Sequence, residues 1–170
     1  MPAARNAALC IAGDTEWRCD AVVWAAPTFL APHVVEGAPP VPWAYAPWMV
    51  ANVTLDRRPA GAGSEDDERD APAAWDNVIA SSPALGYVVA THQQLAEREG
   101  PATVWTWYHA PADEPPRQAR RRLAAASWRD CAELVLADLE RAHPDVRDCV
   151  RRVDVRRYGH AMPRPVPGFL

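Results

Sequence analysis

The sequence contains no lysine: all 18 of its basic residues are arginine. That removes any mechanism built on a lysine amine, such as a Schiff base or a phosphate-gripping P-loop lysine. It has four cysteines, Cys10, Cys19, Cys131 and Cys149, and no pair at C-x-x-C spacing. A zinc ribbon or a thioredoxin-like redox motif is therefore unsupported, and the thiols read as structural. No G-x-S-x-G occurs, so the nucleophile elbow of serine hydrolases is missing. The longest apolar run, residues 21–32, is broken by Pro27 and is too short to span a bilayer. No internal repeat is present. The first residues show no signal-peptide pattern, and the expected location is the cytoplasm. A net charge of −4 makes a general partner for phosphate backbones improbable, so no nucleic-acid role is expected.

What is present is an ordinary globular composition with an unusual aromatic choice. Of 170 residues, 49% are hydrophobic and 24% charged, enough to build one real core. Eight tryptophans stand against two phenylalanines. Indole is a large apolar surface whose N–H seeks a partner, so clustered tryptophans line cores or flat binding faces.

Period-two alternation predicts strands at residues 48–55, 77–80, 85–93, 103–110 and 150–158. The segment 103–110 should place Trp105, Trp107 and His109 on one face and Val104, Thr106 and Tyr108 on the other. The last strand, rich in arginine, should lie at or near a sheet edge. Residues 9–12 and 15–25 read as a hairpin turning at Gly13-Asp14, with the apolar run Ala21-Val22-Val23-Trp24 as a strand buried on both faces. Thr28 to Val35 reads as a short helix and 37–47 as a proline-rich connector. Residues 59–72 should form a flexible, acidic surface loop. One apolar stripe, Ala124, Trp128, Cys131, Val135, Leu139 and Ala142, predicts a single long amphipathic helix near 116–142, with Arg129 and Glu133 paired on its outer side. The fold class is α+β: a mixed, largely antiparallel sheet covered by helices.

The order of segments carries a resemblance. The strand ending Ala25-Ala26-Pro27 is followed by the strand from Trp48, "WDNVI" at 75–79, "LGYVVATHQ" at 85–93, a helix ending "DLERAHPDV" at 138–146, and "YGHAMPRPVPGF" at 158–169. This resembles the C-terminal half of FAD-dependent oxidoreductases of the flavin-containing amine oxidase superfamily. The resemblance implies two parts: residues 1–27 as strands leading back toward an FAD-binding domain, and residues 28–170 as a substrate-binding domain whose sheet roofs the flavin. It implies FAD as cofactor, a small-molecule substrate, and hydride transfer from an amine or C–H substrate. The family's strand–GxGxxG–helix, which holds the FAD pyrophosphate, does not occur in these residues. The chain is accordingly expected to be a partial enzyme, inactive alone, with a companion chain carrying the FAD-binding half.

Candidate substrate-contacting residues are His92, Trp107, Tyr108, His109, His160 and Arg164. Trp107 and Tyr108 point to opposite faces of one strand, so at most one of them walls a pocket. The resemblance alone places Ala25, Ala26 and Pro27 against the cofactor. No residue is assigned a catalytic role and no metal site is expected. The alternative function is a non-catalytic interaction module that docks a partner chain through a tryptophan-rich sheet.

Overall fold

The computed structural model describes residues 8–60, 74–90, 102–165 and 167. The expected acidic loop falls largely outside the described residues, as does His92. The chain divides into two units, Met1–Pro42 and Trp43–Leu170.

In the first unit, β1 (Ala8–Ala12) and β2 (Thr15–Cys19) pair antiparallel across Gly13-Asp14. Gly13 has φ +59°, which a two-residue hairpin turn requires at its first position. A 3₁₀ turn (Thr28–Leu30) leads into the single-turn helix α1 (Ala31–Val34), with Pro32 in its first turn where a missing N–H costs nothing. The buried strand expected at 21–24 is not there. The register ends with Ala8 opposite Cys19, and residues 20–24 find no partner strand among the described residues. Val23 is 89% exposed.

The second unit is a five-stranded sheet with helices on one face. Its strands are β3 (Tyr45–Leu55), β4 (Asp76–Asn77), β5 (Gly86–Val89), β6 (Thr103–His109) and β7 (Val150–Pro163), in the order β4-β5-β6-β3-β7. Every pairing is antiparallel. The alternation expected from the sequence holds. Met49, Ala51, Val53 and Leu55 of β3 are buried, as are Trp105, Trp107 and His109 of β6. Both edges are guarded. β4 is two residues long, and β7 carries Arg151, Arg152, Asp154 and Arg156.

The expected single helix is two helices: α2 (Pro116–Ala125) and α3 (Trp128–Glu140). Ala126 and Ser127 are extended, with ψ of 136° and 162°. Ser127 starts α3 with a reciprocal cap. Its hydroxyl accepts from the Asp130 N–H at 3.1 Å, and its own N–H donates to the Asp130 carboxylate at 3.0 Å. The Ser127 hydroxyl also donates to Asp130 Oδ2 at 2.7 Å, and this bond, followed by the one from the Ser127 N–H, holds the Asp130 carboxyl below the usual carboxylate range. The break removes Ala124 and Trp128 from the buried stripe. Trp128 is 59% exposed and donates its indole N–H to the Val153 carbonyl at 3.2 Å. The stripe beyond it holds: Cys131, Val135 and Leu139 join Leu123, Val146 and Cys149 over the sheet. Glu133 pairs not with Arg129 but with Arg147, at 2.6 Å, beside the single-turn helix α4 (Val146–Cys149).

Candidate functional site

The sheet has one helix-covered face. Among the described residues, no helix of the second unit lies on the other. Residues on that open face are half-buried to exposed: Trp48, Val50 and Asn52 on β3, Val104, Thr106 and Tyr108 on β6, and Val88 on β5. Register brings three aromatics into a row across β7, β3 and β6. Tyr158 is directly opposite Trp48. Trp48 in turn stacks on Tyr108, with ring centroids 6.4 Å apart and planes at 25°. At the end of the row the Tyr108 hydroxyl donates to Asp76 Oδ1 at 3.3 Å. Partial burial, followed by the Asp76 charge, raises the Tyr108 phenol above its ordinary value, so it stays a donor at neutral pH. Beside the row, Thr106 donates to Asn52 at 2.9 Å. Two strand spacings make this platform about 10 Å wide, the scale of a tricyclic ring.

Trp107 and Tyr108 lie on opposite faces of β6, as alternation requires. Tyr108 lies on the open face; Trp107 is 1% exposed on the helix side and donates to Asp138 Oδ2 at 2.8 Å. His109 shares that inner face, stacked on Trp107 at 5.8 Å. Its Nδ1 is 3.1 Å from the Pro83 carbonyl, so Nδ1 carries the hydrogen. Burial pushes its pKa down. His160 is exposed on β7. Arg164 is tied to backbone, donating to the carbonyls of Glu114 and Ala112 at 3.0 Å each. Ala25, Ala26 and Pro27 form an exposed stretch without regular structure in the first unit. The structure thus brings Tyr108 together with Trp48, which the sequence reading took only as the start of a strand.

His143, read from the sequence only as a helix stop, belongs to a second aromatic group on the covered face. Its Nδ1 is 3.1 Å from the Ala60 carbonyl, and its Nε2 is 2.6 Å from the Tyr87 hydroxyl. A carbonyl only accepts, so Nδ1 donates; in the neutral ring Nε2 then accepts from Tyr87. Tyr87 stacks on Trp105 at 4.5 Å, and Trp105 lies 4.8 Å from His143. This group joins β5 and β6 to the turn after α3. Burial pushes the Tyr87 phenol up to about 12. An unfolded chain releases that proton near pH 10. The folded state's hold on the proton therefore contributes stability that is complete below about pH 10 and is lost as pH rises through about 12. Denaturant titrations across that range should show a declining slope that is reduced in Tyr87→Phe; an unchanged slope would assign it to other groups.

Among the described residues, no group of three His, Cys, Asp or Glu side chains is placed to hold a metal ion, and no helix is long and apolar enough to cross a membrane. No protein-family model matches the chain, and no curated protein matches it.

Proposed function

We propose that the Trp43–Leu170 unit is the substrate-side part of an FAD-dependent oxidoreductase of the flavin amine oxidase type, its open sheet face walling the space where substrate meets flavin. The observation that carries this reading is the aromatic row Tyr158–Trp48–Tyr108 on a sheet whose other face is fully used by helices. A flat aromatic platform suits a flat tricyclic ring or an aromatic substrate, which gains area and stacking there. A bound flavin would accept the hydride from an amine or C–H substrate. The chain's own part is to exclude water with Trp48 and Val50 and to offer the Tyr108 hydroxyl oxygen, its proton directed to Asp76, as an orienting acceptor. Phosphates need another holder. The sequence has no lysine and no GxGxxG, so the pyrophosphate falls to a companion FAD-binding half.

The test separates the ring from its phosphate tail. Lumiflavin, the bare tricycle, should quench tryptophan fluorescence saturably. ADP should not. Trp48→Ala should weaken lumiflavin binding several-fold, as loss of one stacking partner does. Absence of saturable quenching would overturn the flavin reading. If sedimentation then showed concentration-dependent self-association or association with a partner through the same face, the interaction-module reading would replace it.

A further inference from the structure

On the helix-covered side, at the β7 edge, α2 and β7 enclose a half-open cleft of about 250 Å³ lined by Arg120, Leu123, Ala124, Arg157 and Gly159. The spacing of Arg120, Leu123 and Ala124 puts all three on one face of α2, one turn apart. Arg157 enters from β7, in register with Met49. Both guanidinium groups are positioned through a single nitrogen. Arg120 Nη1 donates to the Tyr45 carbonyl at 2.6 Å. Arg157 Nη1 donates to the carbonyls of Ala126, Leu123 and Ala124 at 2.6, 3.1 and 3.3 Å, closing the C-terminal end of α2. The Nε and Nη2 edges of both have no partner among the described residues, and neither arginine meets a carboxylate there within 4.0 Å. Two oriented cations therefore line one small cleft with no carboxylate of the described residues within 4.0 Å of either. The field of Arg120 reaches the next residue of β7: after desolvation, the Arg120 charge is what lowers the His160 imidazole.

We propose that this cleft binds a small organic carboxylate with an apolar body. An oriented guanidinium edge matches the two oxygens of a carboxylate. The rest of the ligand would lie on Leu123 and Ala124, an apolar wall that inorganic phosphate cannot use. The cleft is smaller than those that take drug-sized ligands, which limits the occupant to something like a single ring or a short chain. Gly159 keeps it open. Its backbone is not left-handed, and an added Cβ would meet Arg120 Cδ at an ordinary 3.5 Å, so the missing side chain serves space rather than conformation. The site lies on the opposite side of the sheet from the flavin platform, and its test uses different ligands and different residues.

Benzoate, its neutral isostere benzamide, and inorganic phosphate should be titrated at constant ionic strength. The readouts are NMR signals of the Arg120 side-chain N–H and the Leu123 methyls. Benzoate should shift both saturably, with benzamide and phosphate at least about tenfold weaker, as expected when a charge-assisted contact is lost. Arg120→Gln should weaken benzoate by a similar factor. Gly159→Val, which fills the cleft and leaves both charges in place, should do the same. Thermal melts of the two variants establish that they fold, and Arg157 is left intact because it holds the end of α2. No saturable shift, equal shifts from benzamide, phosphate as strong as benzoate, or benzoate binding unchanged in both variants would each overturn the proposal.

Discussion

Gly86→Ala should be among the most damaging single substitutions in the sheet, lowering stability by about 3 kcal/mol. On a chain of this length that is a fall in melting temperature of roughly 6–12 °C. The cause is local and double. Gly86 begins β5 with φ +110°, a conformation that L side chains rarely adopt. A Cβ there would also collide with the Asn77 carbonyl oxygen and lie 3.1 Å from Val78 Cα. Both obstacles are main chain, so no side-chain rotation relieves them. β4 would have to leave β5 at the Asn77–Tyr87 pair. Hydrogen exchange should locate the damage at residues 76–89. A variant that melts with the parent would show that this edge repacks freely.

The second large effect is expected at Trp107. Trp107→Phe keeps an aromatic ring in the core but removes the indole donor together with some buried volume. Asp138, 5% exposed on α3, would then lose its 2.8 Å partner, and its Oδ1 already has none among the described residues. A buried acceptor left without its donor costs about 3 kcal/mol. The cost lies in the orphaned oxygen rather than in the absent contact. The pair Trp107→Phe with Asp138→Leu should therefore be more stable than Trp107→Phe alone, the sign of interaction that a double-mutant cycle reads in denaturant melts. If the double variant is the sum of the singles, Trp107 matters for its volume and not for its N–H.

The parts of the fold that were readable are those whose cause is local. β3 and β6 announce themselves because alternate residues meet core and solvent, and that period is written in the chain. The faces of β6 followed correctly, Trp107 inward and Tyr108 outward. The break between α2 and α3 was readable too, from Ser127-x-x-Asp130. The apolar spacing runs on through residues 126–127, however, and masks the cap. Ala21-Val22-Val23-Trp24 failed for another reason. Apolar composition states a preference for burial, but a strand needs a partner, and composition does not supply one. The platform was half legible. Tyr108 was a candidate, but its neighbours Trp48 and Tyr158 come from residues 60 and 50 positions away, joined only by register. Trp107 and His109, the other two candidates on β6, are buried on the helix-covered face.

The strand order has a consequence for the time course of assembly. β3, a long strand with neighbours on both sides, has been synthesised once about a third of the 170-residue chain is made, yet its pairings wait. β6 starts at Thr103, and β7 aligns Val53 with Val153, a hundred residues downstream. Contacts this distant in sequence make a slow nucleus, because the chain must close large loops before they reward it. As synthesis proceeds from the N-terminus, β3 emerges with both hydrogen-bonding edges open and Met49, Val53 and Leu55 uncovered. Its second edge is satisfied only by a strand made much later. Until β7 is made the growing chain therefore keeps apolar surface and one strand edge uncovered, and a chain halted before residue 150 leaves β3 with that edge unpaired.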